Sequence, residues 1–345
     1  MGKKNADKYR LDLHQQAYNK LSSMKAFGQS KKEDVKNKVN GDKIYSYNTF
    51  KTYYKHIKYF TRWIGENHPE CTTLKSARKY VNEWLQSRMD QVDEDGNHLS
   101  AWTIQTETAA LCKLYQIKPD DKDRFEPPKR DRWEIKRSRS GVGKDRHFSV
   151  ANNKDLIDFC KGTGCRRNVL EKLEGRDLWT VTDMKNRQND LKSRLDILSE
   201  KEQRELSTLQ DALETFPDHQ YFVHHRQDKN GRYRFAPIIG PDKERIVEIM
   251  RNTQPNNKVW GKVSSAADVH GFRATYADTM YRMYARNIED IPFEITKGGR
   301  KRRTGVYYCR NDKHKRALDR EAMLKCSKAL GHNRVEVVAT NYLRG

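Results

Sequence analysis

The chain contains no long apolar run. Nothing in its 345 residues approaches the roughly 20 consecutive apolar residues that a membrane-spanning helix needs. The amino terminus, MGKKNADKYRLDLHQQ, also lacks the apolar centre of a secretory signal, so no membrane partner and a cytoplasmic, nucleoid-associated location are expected. Cysteine is sparse. Cys71, Cys112, Cys160, Cys165, Cys309 and Cys326 include no CxxC pair and none of the close spacing of a zinc site, and they read as free thiols in a reducing compartment. Acidic residues are the other shortfall: 47 Asp and Glu face 69 Lys and Arg, a net charge of +22. Self-repulsion on that scale is tolerable mainly when a polyanion neutralises it, so nucleic acid is the first expected partner, ahead of an anionic membrane surface or the ribosome.

The length suits two domains of ordinary size with a short appendage. Residues 1–42 form a basic extension with one helix, carried by Leu11, Leu13, Ala17, Leu21 and Met24. It is either a docked helix with a solvated linker or a DNA-contacting arm. Over 43–118 the pattern is helical. Phe50, Tyr53, Tyr54, Ile57, Phe60, Thr61 and Ile64 recur at spacings of three and four. A second helix enters at Thr72 or Thr73 and a third after Ser100. Residues 119–147 combine prolines with alternating charge and no periodicity, the mark of an interdomain linker; Lys136, Arg137, Arg139, Lys144 and Arg146 are placed there to track a DNA backbone. The second domain, 148–345, opens with a helix capped by Asn152 or Asn153. It contains a helical hairpin over 181–216, with Ser199 and Glu202 as a capping box, and two alternating runs around Asp228, Lys229, Asn230 and Gly231. An Asn-Gly pair between such runs signals a β-hairpin with Lys229 at its tip.

Four stretches of this second domain carry chemistry. Thr163-Gly164-Cys165-Arg166-Arg167 ends one helix and starts another. Lys229 sits on the hairpin. His270-Gly271-Phe272-Arg273 heads a helix that continues through Tyr276. Leu330-Gly331-His332 ends a helix at Gly331, and Tyr342 follows ten residues later. Singly, each residue has an ordinary reading as a surface arginine, a cap, a core histidine or a packing tyrosine; the ordered set is what points to a site.

In that order the set resembles the tyrosine recombinase or phage integrase family, whose catalytic domain shows TGxRxxEL, a lysine on a β-hairpin, HxxR, LGH and a nucleophilic tyrosine. The resemblance covers 147–345; the helical first domain and basic linker match the family's core-binding domain only in type. It implies a mainly α fold with a small β-hairpin or sheet, in which an α+β catalytic domain and an N-terminal helical core-binding domain form a two-domain, C-shaped clamp on DNA. It also implies a site-specific recombinase that integrates or excises a mobile element. Arg166 and Arg273 would neutralise charge on the phosphoryl oxygens, because a guanidinium fork bonds two oxygens and stays charged. His270 and His332 would complete the cradle and assist proton transfer, and Lys229 would protonate the departing 5′ oxygen. Tyr342 would form a 3′-phosphotyrosyl link that stores the energy of the broken bond, so no cofactor, metal or ATP is expected.

The chain departs from the family pattern at several points. Val169 stands where an acidic residue is usual, leaving Glu171 or Asp177 as the substitute or the role unfilled. Ala274 stands where a histidine is common, and Tyr342 is one position farther from the LGH histidine than in many relatives. Arg167 is an alternative to Arg166, and Arg232 to Lys229. A second insert, 286–318, contains Arg300, Lys301, Arg302 and Arg303, which are either a β-ribbon on DNA or a solvated loop. Only Leu343, Arg344 and Gly345 follow Tyr342, so either contact between protomers uses another element, with the 181–216 hairpin as the candidate, or the chain has been shortened. The partners implied are double-stranded DNA, a homotetramer exchanging strands through a Holliday junction, and accessory DNA-bending or excision-direction proteins. The competing functions are supercoil relaxation of the type IB topoisomerase kind and sequence-specific regulation without strand cleavage.

Overall fold

Serine, threonine and aspartate caps open most of the helices, and the computed structural model describes them over residues 12–130, 148–228, 232–295, 297–309, 315–332 and 334–343. The chain divides into two units, Met1–Glu134 and Ile135–Gly345. It is mainly helical with small antiparallel sheets. Among the described residues no helix is long and apolar enough to cross a membrane, and all six cysteines are free thiols.

The first unit is built from α1 (Leu13–Ser23), α2 (Lys31–Lys36), α3 (Tyr47–Asn67), α4 (Leu74–Ala77), α5 (Val81–Asp90) and α6 (Ala101–Tyr115). Asp12, Ser46 and Ser100 each accept a backbone N–H of the first turn, and Thr73 with Ser76 makes a capping box. Such caps contribute about 1 kcal/mol apiece. The apolar stripe of α3 turns inward as its spacing predicts: Phe50, Ile57, Phe60, Thr61 and Ile64 are buried, and Tyr53 and Tyr54 pack at the margin. Ala17, Leu21 and Met24 of α1 enter that same core, which makes α1 a docked helix; Leu11 lies outside the described residues. One charged residue interrupts the inward face of α6. Glu107 is fully buried, and its carboxylate accepts from Arg88 Nη2 (3.0 Å) and Nε (3.2 Å) and lies 3.2 Å from His56 Nδ1. Burial works to raise this carboxyl, but the bonds from His56 and Arg88 outweigh it and hold it below the usual carboxylate range.

The second unit begins with α7 (Lys154–Thr163), entered through a short 3-10 turn at Ala151–Asn153, and α8 (Arg167–Leu170). Then come β1 (Leu178–Thr180), α9 (Val181–Lys192), α10 (Glu200–Thr215), β2 (Tyr221–Asp228), β3 (Arg232–Pro237), α11 (Lys243–Arg251) and α12 (Val269–Tyr284). The short strands β4 (Glu294–Ile295), β5 (Lys301–Arg302), β6 (Val306–Tyr308) and β7 (Ala317–Asp319) precede α13 (Arg320–Ala329) and α14 (Val335–Asn341). The strands β1, β2 and β3 form one antiparallel sheet in that order, while β4 pairs with β5 and β6 with β7. Because successive strand residues face opposite ways, the three-stranded sheet separates two cores. Phe222 and Phe235 pack with the α9–α10 hairpin and with α12, α13 and α14; Val223 packs with α7, α8 and α11. The hairpin starts from the expected Ser199–Glu202 box and buries Met184, Leu191, Leu198, Leu209, Ala212 and Phe216 in its own unit, leaving Leu195 and Ile197 exposed at the bend.

Arg88→Ala strands a buried carboxylate, whereas Glu107→Gln leaves Arg88 and His56 near enough to solvent to be hydrated. The first change is expected to destabilise the unit by about 3 kcal/mol and the second by less. Hydrogen exchange of the α3 and α6 amides checks this, and equal losses from the two variants would refute the assignment.

Candidate active site

Two glycines shape the ends of the helices that bear the site. Gly164 closes α7 in the left-handed region (φ +59°), and a Cβ there would lie 2.4 Å from the Tyr276 ring. Past this tight corner Arg166 caps α8 in extended backbone. Gly331 ends α13 at φ +70°, where a Cβ would approach Arg234 Nε to 2.7 Å. Only a residue without a side chain fits either corner. Between them in sequence, Asp268 caps α12 by accepting from Gly271 N–H (2.9 Å). From that start Arg273, Tyr276, Ala277 and Met280 fall on the buried face, at spacings of three and four.

Arg273 is only 2% exposed. It donates to the Gly164 carbonyl through Nη1 and to the Leu330 carbonyl through Nη2, and its Nε donates to the Tyr342 hydroxyl at 3.2 Å. Arg166 reaches the same Leu330 carbonyl through Nη2 (3.4 Å), and that nitrogen lies 3.5 Å from His332 Nε2. His332 is itself tied down: its N–H donates to the Ser327 carbonyl (2.8 Å), and Ser327 Oγ donates back to its carbonyl (3.0 Å). The chain then turns into α14, which ends at Tyr342. The tyrosine is 7% exposed, with its hydroxyl 3.3 Å from His332 Nε2 and its ring edge-on to His270, centroids 5.6 Å apart. Arg166, His270, Arg273, His332 and Tyr342 therefore meet around one point.

Two further residues hold the cluster, and neither is among those that the sequence pattern picks out for it. The β2–β3 pairing is regular from Phe222 to His225 and slips before Asp228 pairs with Arg232. This bulge puts one extra residue into β2, so Asp228 faces the same side as His225 rather than the opposite one. There, 3% exposed, it accepts from Arg166 Nη1 and from Arg234 Nε (3.1 Å). Arg234 also donates to the Ala329 carbonyl. Burial first, and then the charge of Arg273, push the Arg234 guanidinium down to about 10, with Asp228 opposing them. It stays charged at neutral pH. Beside it His225 is buried with neither ring nitrogen partnered, and burial followed by the surrounding arginines holds it neutral, well below the ordinary imidazole range.

The alternatives left open by the residue pattern separate here. Arg167 turns away to the backbone of 263–267, donating to the Ser264 and Ala267 carbonyls at 2.7 Å. Asp177 pairs with Arg226 at 2.6 Å, and Glu171 is exposed. The carboxylate partner of Arg166 is thus Asp228. Lys229, together with Lys136, Arg137, Arg139, Lys144 and Arg146, lies outside the described residues, as does the side chain of Arg232. Arg300, Lys301, Arg302 and Arg303 lie on and beside β5, between α12 and α13 in the chain. Asp228 and Arg234 were hidden because a strand pattern read without its bulge assigns them opposite faces. Compared with known proteins, the chain matches no family model and has no significant match among curated sequences.

Asp228→Ala leaves the buried Arg234 without its counter-charge and should cost about 3 kcal/mol, while Asp228→Asn keeps an acceptor and should cost less. Faster amide exchange in β2 and α12 is the readout. A second expectation concerns acid. His224, stacked on Phe235, is held by burial at about 3, so as pH falls through 6.5 the unfolded chain takes up protons that folded His224 and His225 refuse. Their contribution is complete above pH 6.5 and declines below it, by up to about 1.4 kcal/mol per pH unit for each ring. In His224→Phe the pH dependence of unfolding between pH 6 and 4 should be shallower by one such slope.

Proposed function

We propose that the protein is a DNA strand transferase of the tyrosine recombinase type, with Tyr342 as its nucleophile. The observation that carries this reading is the Tyr342 hydroxyl between Arg273 Nε at 3.2 Å and His332 Nε2 at 3.3 Å, beside a second arginine that shares the Leu330 carbonyl. An imidazole within reach of the attacking phenol can take its proton, and the adjoining guanidinium groups suit the charge that a phosphoryl centre gains as it is attacked.

In the reaction the Tyr342 oxygen bonds to phosphorus as the bond to the 5′ oxygen of the scissile diester breaks. The phenolic proton passes to His332, and the departing oxygen takes a proton from Lys229. Arg166 and Arg273 bind the non-bridging oxygens, with His270 completing the cradle from the first turn of α12. Asp228 and Arg234 keep Arg166 and the 329–331 turn in register. The phosphotyrosyl bond retains the energy of the diester and is reversed by a free 5′ hydroxyl, so the reaction calls for neither metal nor ATP.

On this reading the two units clamp duplex DNA. Exchange between two duplexes then requires four active sites, hence a tetramer on DNA acting through a four-way junction in the excision or integration of a mobile element. The α9–α10 bend, with Leu195 and Ile197 exposed, is the candidate contact between protomers.

The test is covalent capture. Incubated with a pool of duplexes of randomised sequence, each carrying a nick that lets the released strand with its new 5′ hydroxyl escape, the protein should form a heat-stable, protease-sensitive DNA adduct. Tyr342→Phe should abolish the adduct with duplex affinity unchanged, and Arg166→Ala or Arg273→Ala should slow its formation by about 100- to 1000-fold. Duplex binding with no adduct from the wild-type chain would leave a DNA-binding regulator instead, and relaxation of supercoiled plasmid by isolated protomers would favour a topoisomerase.

A further inference from the structure

Between α12 and α13 the chain leaves the body of its unit and returns. Strands β4 and β5 are antiparallel, with Glu294 opposite Arg302 and Ile295 opposite Lys301, and Gly299 (φ +72°) lies in the turn joining them. The two sides of this ribbon differ. Residues opposite one another share a face, so Phe293 and Ile295 lie with Lys301 and Arg303; Lys301 Nζ sits 5.3 Å and the Arg303 guanidinium 4.5 Å from the Phe293 ring centroid. Glu294 and Arg302 point the other way. The apolar residues face solvent: Ile295 is 79% and Phe293 53% exposed.

The root of the ribbon is held firmly. Ile291 is buried, and Gly305 passes so close to it that a Cβ would lie 2.9 Å from its side chain. Arg286 donates through its backbone N–H, Nε and Nη2 to the buried Asp319 carboxylate at 2.7–3.0 Å, and the Gly305 carbonyl accepts from Arg320 N–H at 2.8 Å. A clamped base with a solvated arm is costly to keep unless the arm meets something. Lys297, Arg300, Lys301, Arg302 and Arg303 stand there against the single carboxylate Glu294.

We infer that the β4–β5 ribbon is a DNA-groove element, separate from the chemical site, whose cations bind phosphates along the groove walls while Ile295 and Phe293 meet base edges. The inference rests on the proposed function only for the identity of its partner as duplex DNA. A two-stranded ribbon fits the major groove, which is about 12 Å wide, and apolar side chains there contact thymine methyl groups. Cations on both faces of a narrow ribbon suit two walls of phosphate better than the single plane of a membrane surface.

The test uses the full-length chain and a 30-base-pair duplex of mixed sequence, with binding measured by fluorescence anisotropy across a salt series. In the triple variant Arg300→Ala, Lys301→Ala, Arg302→Ala, the slope of log affinity against log salt should fall in magnitude by roughly 2 to 3, about 0.9 for each phosphate that is no longer neutralised. A control that removes the same charge from the α9–α10 hairpin, Lys185→Ala, Lys192→Ala, Lys201→Ala, should change it by less than 1. Phe293→Ala with Ile295→Ala should weaken binding severalfold at unchanged slope. An unchanged melting temperature shows that each variant folds.

Equal slopes for the ribbon and control variants would overturn the inference, as would loss of binding to phosphatidylserine vesicles with duplex binding intact. Adduct formation, measured separately, distinguishes the two proposals. No adduct with the predicted slopes ends the strand-transfer reading and leaves the ribbon, an adduct with unaltered slopes does the reverse, and no duplex binding by the wild-type chain ends both.

Discussion

Two backbone carbonyls at the end of α13 hold the second unit's polar centre together. Leu330 accepts from both Arg166 and Arg273, and Ala329 from Arg234. Three guanidinium groups would repel one another in so small and dry a space. They are reconciled by fixed dipoles from the helix end and by one carboxylate, Asp228. A helix terminus leaves its last carbonyls unpaired and partly negative, and here arginines from three other elements, two of them buried, satisfy them. The turn that follows, and with it His332 and Tyr342, is consequently held by these arginines, of which Arg273 also donates to the tyrosine hydroxyl.

This arrangement ties backbone irregularities to the chemistry of the site. The glycine corners at Gly164 and Gly331 bring main chain close enough for Arg273 and Arg234 to reach it. The β2 bulge turns Asp228 inward at the end of β2. Regular helices and strands supply the frame, and each side chain of the candidate site stands at or near an end, a cap or a bulge. Backbone groups left over from regular hydrogen bonding are available at such places.

Charge is distributed according to what each place can tolerate. The buried arginines described in the second unit, Arg234 and Arg273, are paired with carbonyls or a carboxylate, and in the first unit Arg88 and His56 offset the buried Glu107. Among the described residues no lysine or arginine other than Arg234 and Arg273 is buried, and the β4–β5 arm concentrates several of the rest. Such an arm adds little to stability through its own packing, since its apolar residues are solvated.

Much of this is legible in the sequence by itself. The helical first unit, the caps at Thr73, Ser100 and Ser199 and the antiparallel pairing of the two alternating runs follow from local pattern, because helix periodicity, capping and turn chemistry act within a few residues of chain; the site residues stand out only as an ordered set that resembles a known family pattern. Tertiary structure alone decided the rest. It docked α1 into the first core, turned Arg166 rather than Arg167 toward the cluster, and gave Arg166 a carboxylate partner in Asp228, which lies 62 residues away. Those choices depend on a one-residue slip between strands and on which carbonyls a distant helix end presents. Both are set by packing between elements far apart in sequence, and no short-range pattern encodes them.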